Sequence, residues 1–252
     1  MVREIRALER IFNLHDADSA ISRFRIDHRK PPPELRTVLT LAERWSARTL
    51  GAFDPYIDGL RALWEESHLL GIEPAAASIE AALLEKTPAT VNLNAIAKGW
   101  IVDRALDVAR NAPRAPQTAT INAGGDIAHF GPDPIVVGIE DPQRPYDNAA
   151  PTTTISLQDA AVATSGPAHR RIGEGAGAAN HVIDPRTGRP ADGVASATVV
   201  APDAATADVL ATALSVLHPL AGIELIGSVA ATSALIIDDD GQQFRSATWA
   251  DR

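Results

Sequence analysis

Strand-like runs that arrive in adjacent pairs, instead of alternating singly with helices, most restrict the folds open to this 252-residue chain. The patterning predicts strands at Thr118–Asn122, Ile135–Ile139, Thr152–Leu157, Ala160–Thr164, His181–Ile183, Ala195–Ala201 and Ala234–Asp238. A further short strand is expected at Ala89–Leu93, leading into a helix over Ala95–Arg110. Residues 2–14 read as an amphipathic helix, because Ile5, Leu8, Ile11 and Phe12 recur at helical spacing. Lys30-Pro31-Pro32-Pro33 breaks the chain, and Glu34–Leu50 resumes a helix that Gly51 ends. Two more helices are expected at Ala204–Leu217 and Leu220–Val229. Helices grouped between strand pairs favour an α+β class, with mixed or antiparallel sheets flanked by helices, over a doubly wound sheet. Without a linker longer than a dozen residues or a short-period repeat, residues 1–252 are expected to form a single domain.

Composition removes several functions. An apolar fraction of 45% supports a substantial core, and scarce aromatics make it aliphatic. The net charge of −9 argues against a nucleic-acid partner, which would require a basic face. Cysteine is absent, which excludes disulfides, thiolate nucleophiles, zinc ribbons and a lipobox anchor. Met1–Leu14 lacks the apolar run of a signal peptide, and no window reaches the length of a membrane span. The expectation is a cytoplasmic protein with no membrane anchor in this chain; monomer and homodimer both stay open.

The residues richest in chemistry lie between His181 and Thr212. His181-Val182-Ile183-Asp184-Pro185-Arg186-Thr187-Gly188-Arg189-Pro190 packs an imidazole, a carboxylate and two guanidiniums around turn residues. Asp208 and Thr212 lie four positions apart on one face of a predicted helix. Two hard oxygens so placed suit Mg2+, which takes one or two protein ligands and leaves its other positions to water and phosphate. Asn92-Leu93-Asn94-Ala95-Ile96-Ala97-Lys98-Gly99 sits at a helix start, where outward N–H groups favour anions. Lys98 in the first turn opposes the helix dipole, and a phosphate would compensate. Gly124-Gly125-Asp126 offers a bend that a ligand can approach closely, and Phe53-Asp54-Pro55-Tyr56 is a turn before a helix. Each has a plainer reading. Asn94 caps a helix and Lys98 is solvated; Gly124-Gly125 is a hairpin turn. His181 is a core histidine, and the Thr212 hydroxyl bonds its own helix. Gly173 to Gly177 lacks the strand and helix of a dinucleotide loop.

Taken together and in order, these segments resemble the FAD:protein FMN transferase family of ApbE type. The resemblance rests on Phe53-Asp54-Pro55, Asn92 to Gly99 with Asp103, Gly124-Gly125-Asp126, and Val137-Gly138-Ile139 with Pro142. It continues through Ala163-Thr164-Ser165-Gly166, His181 to Pro190, and Ala207-Asp208 with Thr212, covering nearly all the chain. It implies an ApbE-like, T-fold-like α+β domain that uses Mg2+ to transfer FMN from FAD to a threonine or serine hydroxyl of an acceptor flavoprotein, releasing AMP. On the same footing, Asp208, Thr212 and the Ala95 carbonyl hold the metal. Asp54, Pro55, Tyr56, Asn92, Lys98, Gly124, Gly125, Asp126 and Ile183 contact FAD, and His181 is the general base.

The chain departs from the family pattern in several places. It starts at the first helix, without the strand that usually precedes it. Asp18-Ser19-Ala20-Ile21-Ser22-Arg23 is kept, but His15 stands where a tyrosine is usual and Arg25 where an asparagine is. Asn92 replaces an aspartate, and Pro167-Ala168 an acidic-aromatic pair. Two alternatives follow: an FAD pyrophosphatase giving FMN and AMP, and a catalytically impaired flavin-binding protein.

Overall fold

Described here from a computed structural model are residues 1–144, 149–166, 171–172, 179–180 and 182–250. The helices are α1 (Val2–Phe12), α2 (Ala20–Asp27), α3 (Pro33–Arg48), α4 (Asp58–Leu70), α5 (Ala76–Leu84), α6 (Asn94–Arg110), α7 (Ala204–Leu214) and α8 (Pro219–Gly227). The first strands are β1 (Ala119–Ala123), β2 (Asp126–Phe130), β3 (Ile135–Ile139), β4 (Thr153–Leu157) and β5 (Ala160–Ser165). Four two-residue strands follow, β6 (Arg171–Ile172), β7 (Ala179–Asn180), β8 (Ile183–Asp184) and β9 (Arg189–Pro190). The last are β10 (Val194–Ala201), β11 (Ser233–Asp238) and β12 (Gln243–Arg245). Among the described residues no helix is long and apolar enough to cross a membrane.

The chain divides into two compact units. One comprises Met1–Arg6, Ala95–His169 and Gly193–Arg252; the other comprises Ala7–Asn94 and Arg170–Asp192. The first unit is built on an antiparallel six-stranded sheet in the order β1-β2-β5-β10-β11-β12. Strand alternation decides what each face packs against. Val162 of β5 and Leu235 and Ile237 of β11 join Val137, Ile139, Ile155 and Leu157 of the β3–β4 hairpin in one apolar cluster. The intervening positions on β5 and β10, Ala161, Ala163, Ala197, Val199 and Ala201, are buried and small. That small-residue face receives α7, which is itself alanine-rich and buried on nearly all sides, from Ala204 to Leu214. A side chain larger than alanine at many of these points would hold the helix away from the sheet.

In the second unit α4, α5 and the β8–β9 hairpin share a small core of Leu60, Ile79 and Ile183. Gly188, at φ +69, turns that hairpin where a Cβ would lie 2.5 Å from the Ile79 side chain. The Trp64 indole N–H donates to the Gly188 carbonyl at 2.7 Å and ties the turn to α4.

Three expectations change. Residues 89–93 form no strand. Instead a 3-10 turn runs over Pro88–Thr90, and the Asn92 N–H makes a single bond to the Pro55 carbonyl at 2.7 Å. Pro88 lacks a ladder donor, and the Thr90 hydroxyl bonds back to the carbonyls of Glu85 and Thr87, so the chain turns rather than pairs. The strand expected at His181–Ile183 lies one to two residues later, at Ile183–Asp184, with His181 itself outside the described residues. Asp126 belongs to a strand, β2, that pairs directly with β1 through a two-glycine turn.

Candidate active site

The residues expected from the sequence to hold a metal lie on two helices, α6 and α7, of the first unit. At helical spacing, Ala95, Gly99 and Asp103 form one stripe along α6, and Ala204, Asp208 and Thr212 form one along α7. The stripes meet at close range. A Cβ on Gly99 would come 2.3 Å from the Ala204 carbonyl oxygen, so only glycine permits this approach. The Asp103 carboxylate accepts from the Ala204 N–H at 2.7 Å and the Ala205 N–H at 2.9 Å. Asp203 caps the same helix end, accepting from the Thr206 N–H at 2.8 Å. Together the two carboxylates satisfy three donors that a helix N-terminus leaves over, in the place its dipole favours negative charge. Burial nevertheless pushes the Asp103 carboxyl up to about 6, against the pull of the two N–H groups.

Asp208 sits on the buried side of α7, where its carboxyl meets that of Asp126 and the Gly99 N–H. Burial, and then the charge of Asp126, hold its carboxyl well above the usual carboxylate range; Lys98 and the Gly99 N–H act in the opposite direction. Asp126, 1% exposed at the start of β2, receives the Lys98 ammonium at 2.7 Å. The charge compensation expected of a phosphate at Lys98 is therefore supplied, in this structure, by a carboxylate. With Lys98 paired to Asp126, ionising Asp208 would add a second negative charge with no cation of its own, and a bound cation is what would favour that ionised form. Among the described residues no three or more His, Asp or Glu side chains converge as an all-protein metal cage. A hard cation that takes one or two protein carboxylates and fills its other positions with water and phosphate fits this donor set.

Next to this cluster in sequence, Gly124 and Gly125 form the β1–β2 turn at φ +65 and +99, with the Asn122 side chain accepting from the Gly125 N–H at 3.0 Å. A Cβ at either glycine would meet nothing within 4 Å, so open space lies against this backbone.

In the second unit, Asp54 accepts from the Tyr56 N–H at 2.9 Å and from Lys86 at 2.6 Å, which fixes the Asp54-Pro55-Tyr56 turn. The Tyr56 hydroxyl donates to Glu43 at 3.0 Å, and burial followed by that carboxylate raises its pKa to about 12. Asn92 is buried. Its Nδ2 donates to Asp58 at 2.8 Å, and its Oδ1 accepts from the Asn94 N–H at 3.0 Å. Arg25 binds the other oxygen of Asp58 and the Ala89 carbonyl. Arg25 and Asn92, two of the departures noted in the sequence, thus meet on one acid. Asp58 was not singled out in the sequence; its place in the first turn of α4, two residues after Tyr56, is the only signal it gives. The side chain of Ile183 lies in the Leu60–Ile79 core, so its main chain is what it presents elsewhere. Asp184 accepts two bonds from the Arg186 guanidinium, at 2.9 and 2.8 Å, inside the β8–β9 turn. His15 is exposed. His181, Pro167-Ala168 and Gly173 to Gly177 lie outside the described residues.

Comparison with known proteins follows the same lines. A profile described as the ApbE family matches residues 1–236. A FAD:protein FMN transferase of Rhodobacter capsulatus is 28% identical over 255 residues, covering 92% of this chain and 47% of that protein. The chain thus spans about half the length of that relative. A second, from Vibrio cholerae, is 28% identical over 262 residues, covering 92% of this chain and 77% of the other. Among solved structures, the ApbE protein of Thermotoga maritima superposes with a TM-score of 0.83 at 28% identity, over 98% of this chain and 87% of that one. The flavin transferase ApbE of Vibrio cholerae gives 0.77 at 26% identity, over 98% and 87%. An antiparallel sheet backed by an alanine-rich helix, an acid buried in that helix, and a family match over 236 consecutive residues agree, and the chain belongs to the ApbE family.

Proposed function

We propose that this protein is an FAD:protein FMN transferase, an enzyme that moves the FMN half of FAD onto a threonine or serine hydroxyl of an acceptor flavoprotein and releases AMP. The observation that carries the reading is Asp208, an acid buried beside Asp126 and Lys98 in a helix otherwise given over to core packing. An acid buried beside another acid lowers stability, and such groups cluster at functional sites. The relatives from Rhodobacter capsulatus and Vibrio cholerae, both named FAD:protein FMN transferases, point the same way.

In the reaction, the acceptor hydroxyl oxygen forms a bond to the phosphorus of the FMN half. The bond from that phosphorus to the oxygen of the AMP half breaks, and AMP leaves with the electron pair. His181 is assigned as the base that takes the hydroxyl proton, since an alcohol is a poor nucleophile until its proton is accepted. Asp208, Thr212 and the Ala95 carbonyl would hold Mg2+. When bound, Mg2+ neutralises pyrophosphate charge and stabilises the departing phosphate oxygen. Asp54, Pro55, Tyr56, Asn92 and Ile183 are assigned to FAD, as are Lys98, Gly124, Gly125 and Asp126. Lys98 is held by Asp126, so its ammonium is already oriented before any anion arrives. The two units are taken to act together as one ApbE-like domain.

Protein, FAD, Mg2+ and a candidate acceptor domain, followed by intact-mass measurement, test the proposal. An FMN-sized increment on the acceptor together with released AMP is expected. Free FMN and AMP forming equally well without acceptor would show hydrolysis instead, and FAD binding with no AMP release would show a binding protein.

A further inference from the structure

We infer that Asp103 is a positioning residue for the metal ligands, acting as a pin that sets the register of α7 against α6. The inference rests on the metal reading given above, and its own ground is geometric. Asp103 is carried by α6, yet both its oxygens bond N–H groups at the start of α7, at 2.7 and 2.9 Å. A carboxylate has two acceptor oxygens in a fixed plane, so a bidentate grip on two successive backbone donors fixes position along the helix as well as distance.

One turn along, Gly99 lets the Ala204 carbonyl in to a separation that would place it 2.3 Å from a Cβ, and the Gly99 N–H acts on Asp208. The contacts at one end of the paired stripes are therefore set by Asp103 and Gly99. The assigned ligands, Ala95 on α6 and Asp208 and Thr212 on α7, lie further along the same stripes. Ala95 is two helical turns from Asp103, roughly 12 Å along the axis. The sheet face that α7 packs on carries Ala161, Ala163, Ala197 and Ala201, with Val199 among them, and such small side chains offer low ridges against sliding. A hydrogen-bonded pin at the first turn of α7 adds to the register that this packing sets. Ligand displacements of about 1 Å change reactivity by as much as about a hundredfold, so the register has consequences for binding.

Asp203 provides an internal control. It caps the same helix end but belongs to α7's own segment, so its bond to Thr206 stabilises the helix without tying it to α6. Mg2+ is titrated by calorimetry into the wild-type protein, Asp103→Asn, Asp103→Glu and Asp203→Asn, with and without FAD, and thermal unfolding is recorded for each. Asp103→Asn, with one acceptor oxygen in place of two, is expected to weaken Mg2+ binding at least tenfold. Asp203→Asn is expected to change it less than threefold at a comparable loss of Tm. Asp103→Glu keeps both oxygens and should recover part of the loss; it carries the comparison if the asparagine variant does not fold.

In transfer assays the Asp103 variant should regain rate at high Mg2+, raising the apparent KM for the metal more than it lowers kcat. Equal losses in Asp103→Asn and Asp203→Asn, or unchanged Mg2+ affinity in Asp103→Asn, would overturn the inference. Failure of the wild-type protein to bind Mg2+ under either condition would instead overturn the metal reading on which it rests.

Discussion

At the level of single side chains, Asp208 is the most telling. Its raised pKa means that the folded state holds this proton more tightly than the unfolded chain does. Replacing it with asparagine removes an acid that burial and Asp126 both disfavour. Asp208→Asn is therefore expected to abolish FMN transfer while leaving Tm unchanged or higher by a few degrees, on the order of 1 kcal/mol. A folded protein with normal transfer would remove Asp208 from the mechanism, and a large fall in Tm would make it a structural residue. Gly124 is a second case. Its φ of +65 lies in the region that side chains avoid, although space is open around it. Gly124→Ala should cost about 1–2 kcal/mol in chemical denaturation, all of it conformational. Both residues were legible in the sequence, because an acid and a hydroxyl at i, i+4 and a glycine pair are local patterns. The Lys98–Asp126 pair was not. It joins a helix to a strand 28 positions later, and the sequence offered a phosphate where the fold supplies a carboxylate.

Between elements, the α6–α7 contact carries the energetics. Gly99→Ala would drive a methyl into backbone, not into a side chain that can yield, so the helices must part; a loss of about 1–3 kcal/mol is expected from denaturant unfolding. The same contact makes stability pH-dependent. The Asp103 carboxyl titrates at about 6 in the folded protein, above its ordinary value of 3.8. The folded state therefore binds more protons than the unfolded chain between these values. This group's contribution is fully present below about 4 and is lost as pH rises through about 6. Relative to Asp103→Asn, which cannot titrate, the wild-type protein is expected to lose unfolding free energy over that window; a flat difference between the two would contradict the shift. Helices with strong periodicity were readable here: α6 and α7 begin within a residue of expectation. The 3-10 turn at Pro88–Thr90 was not, because an apolar run says nothing about whether a neighbouring strand exists to receive it.

Over the whole chain, paired strand-like runs were enough to place it in the α+β class, and the sheet order explains why. Neighbours in sequence pair as hairpins, as β1–β2 and β3–β4 do, while β5 and β10 meet across an intervening stretch that belongs to the other unit. That long-range pairing, and the division of the chain into two units, leave no local trace in composition or spacing. The apolar cluster beneath the β3–β4 hairpin bears on stability alone. Leu157→Ala, at a fully buried position, is expected to lower unfolding free energy by about 2–5 kcal/mol without altering Mg2+ affinity of the folded protein.

The Arg25–Asp58–Asn92 bonds bear on how this sequence can drift. Asp58 receives a donor from each side, so an aspartate introduced at 92 would bring two carboxylates face to face where an amide now donates at 2.8 Å. An acid at that position alone is thereby disfavoured, and a neutral residue at 58 relieves the conflict. Mutational order, not merely the set of residues, is constrained: Asn92→Asp should be tolerated beside Asp58→Asn and harmful without it, a dependence that a double-mutant cycle in unfolding free energy reads directly.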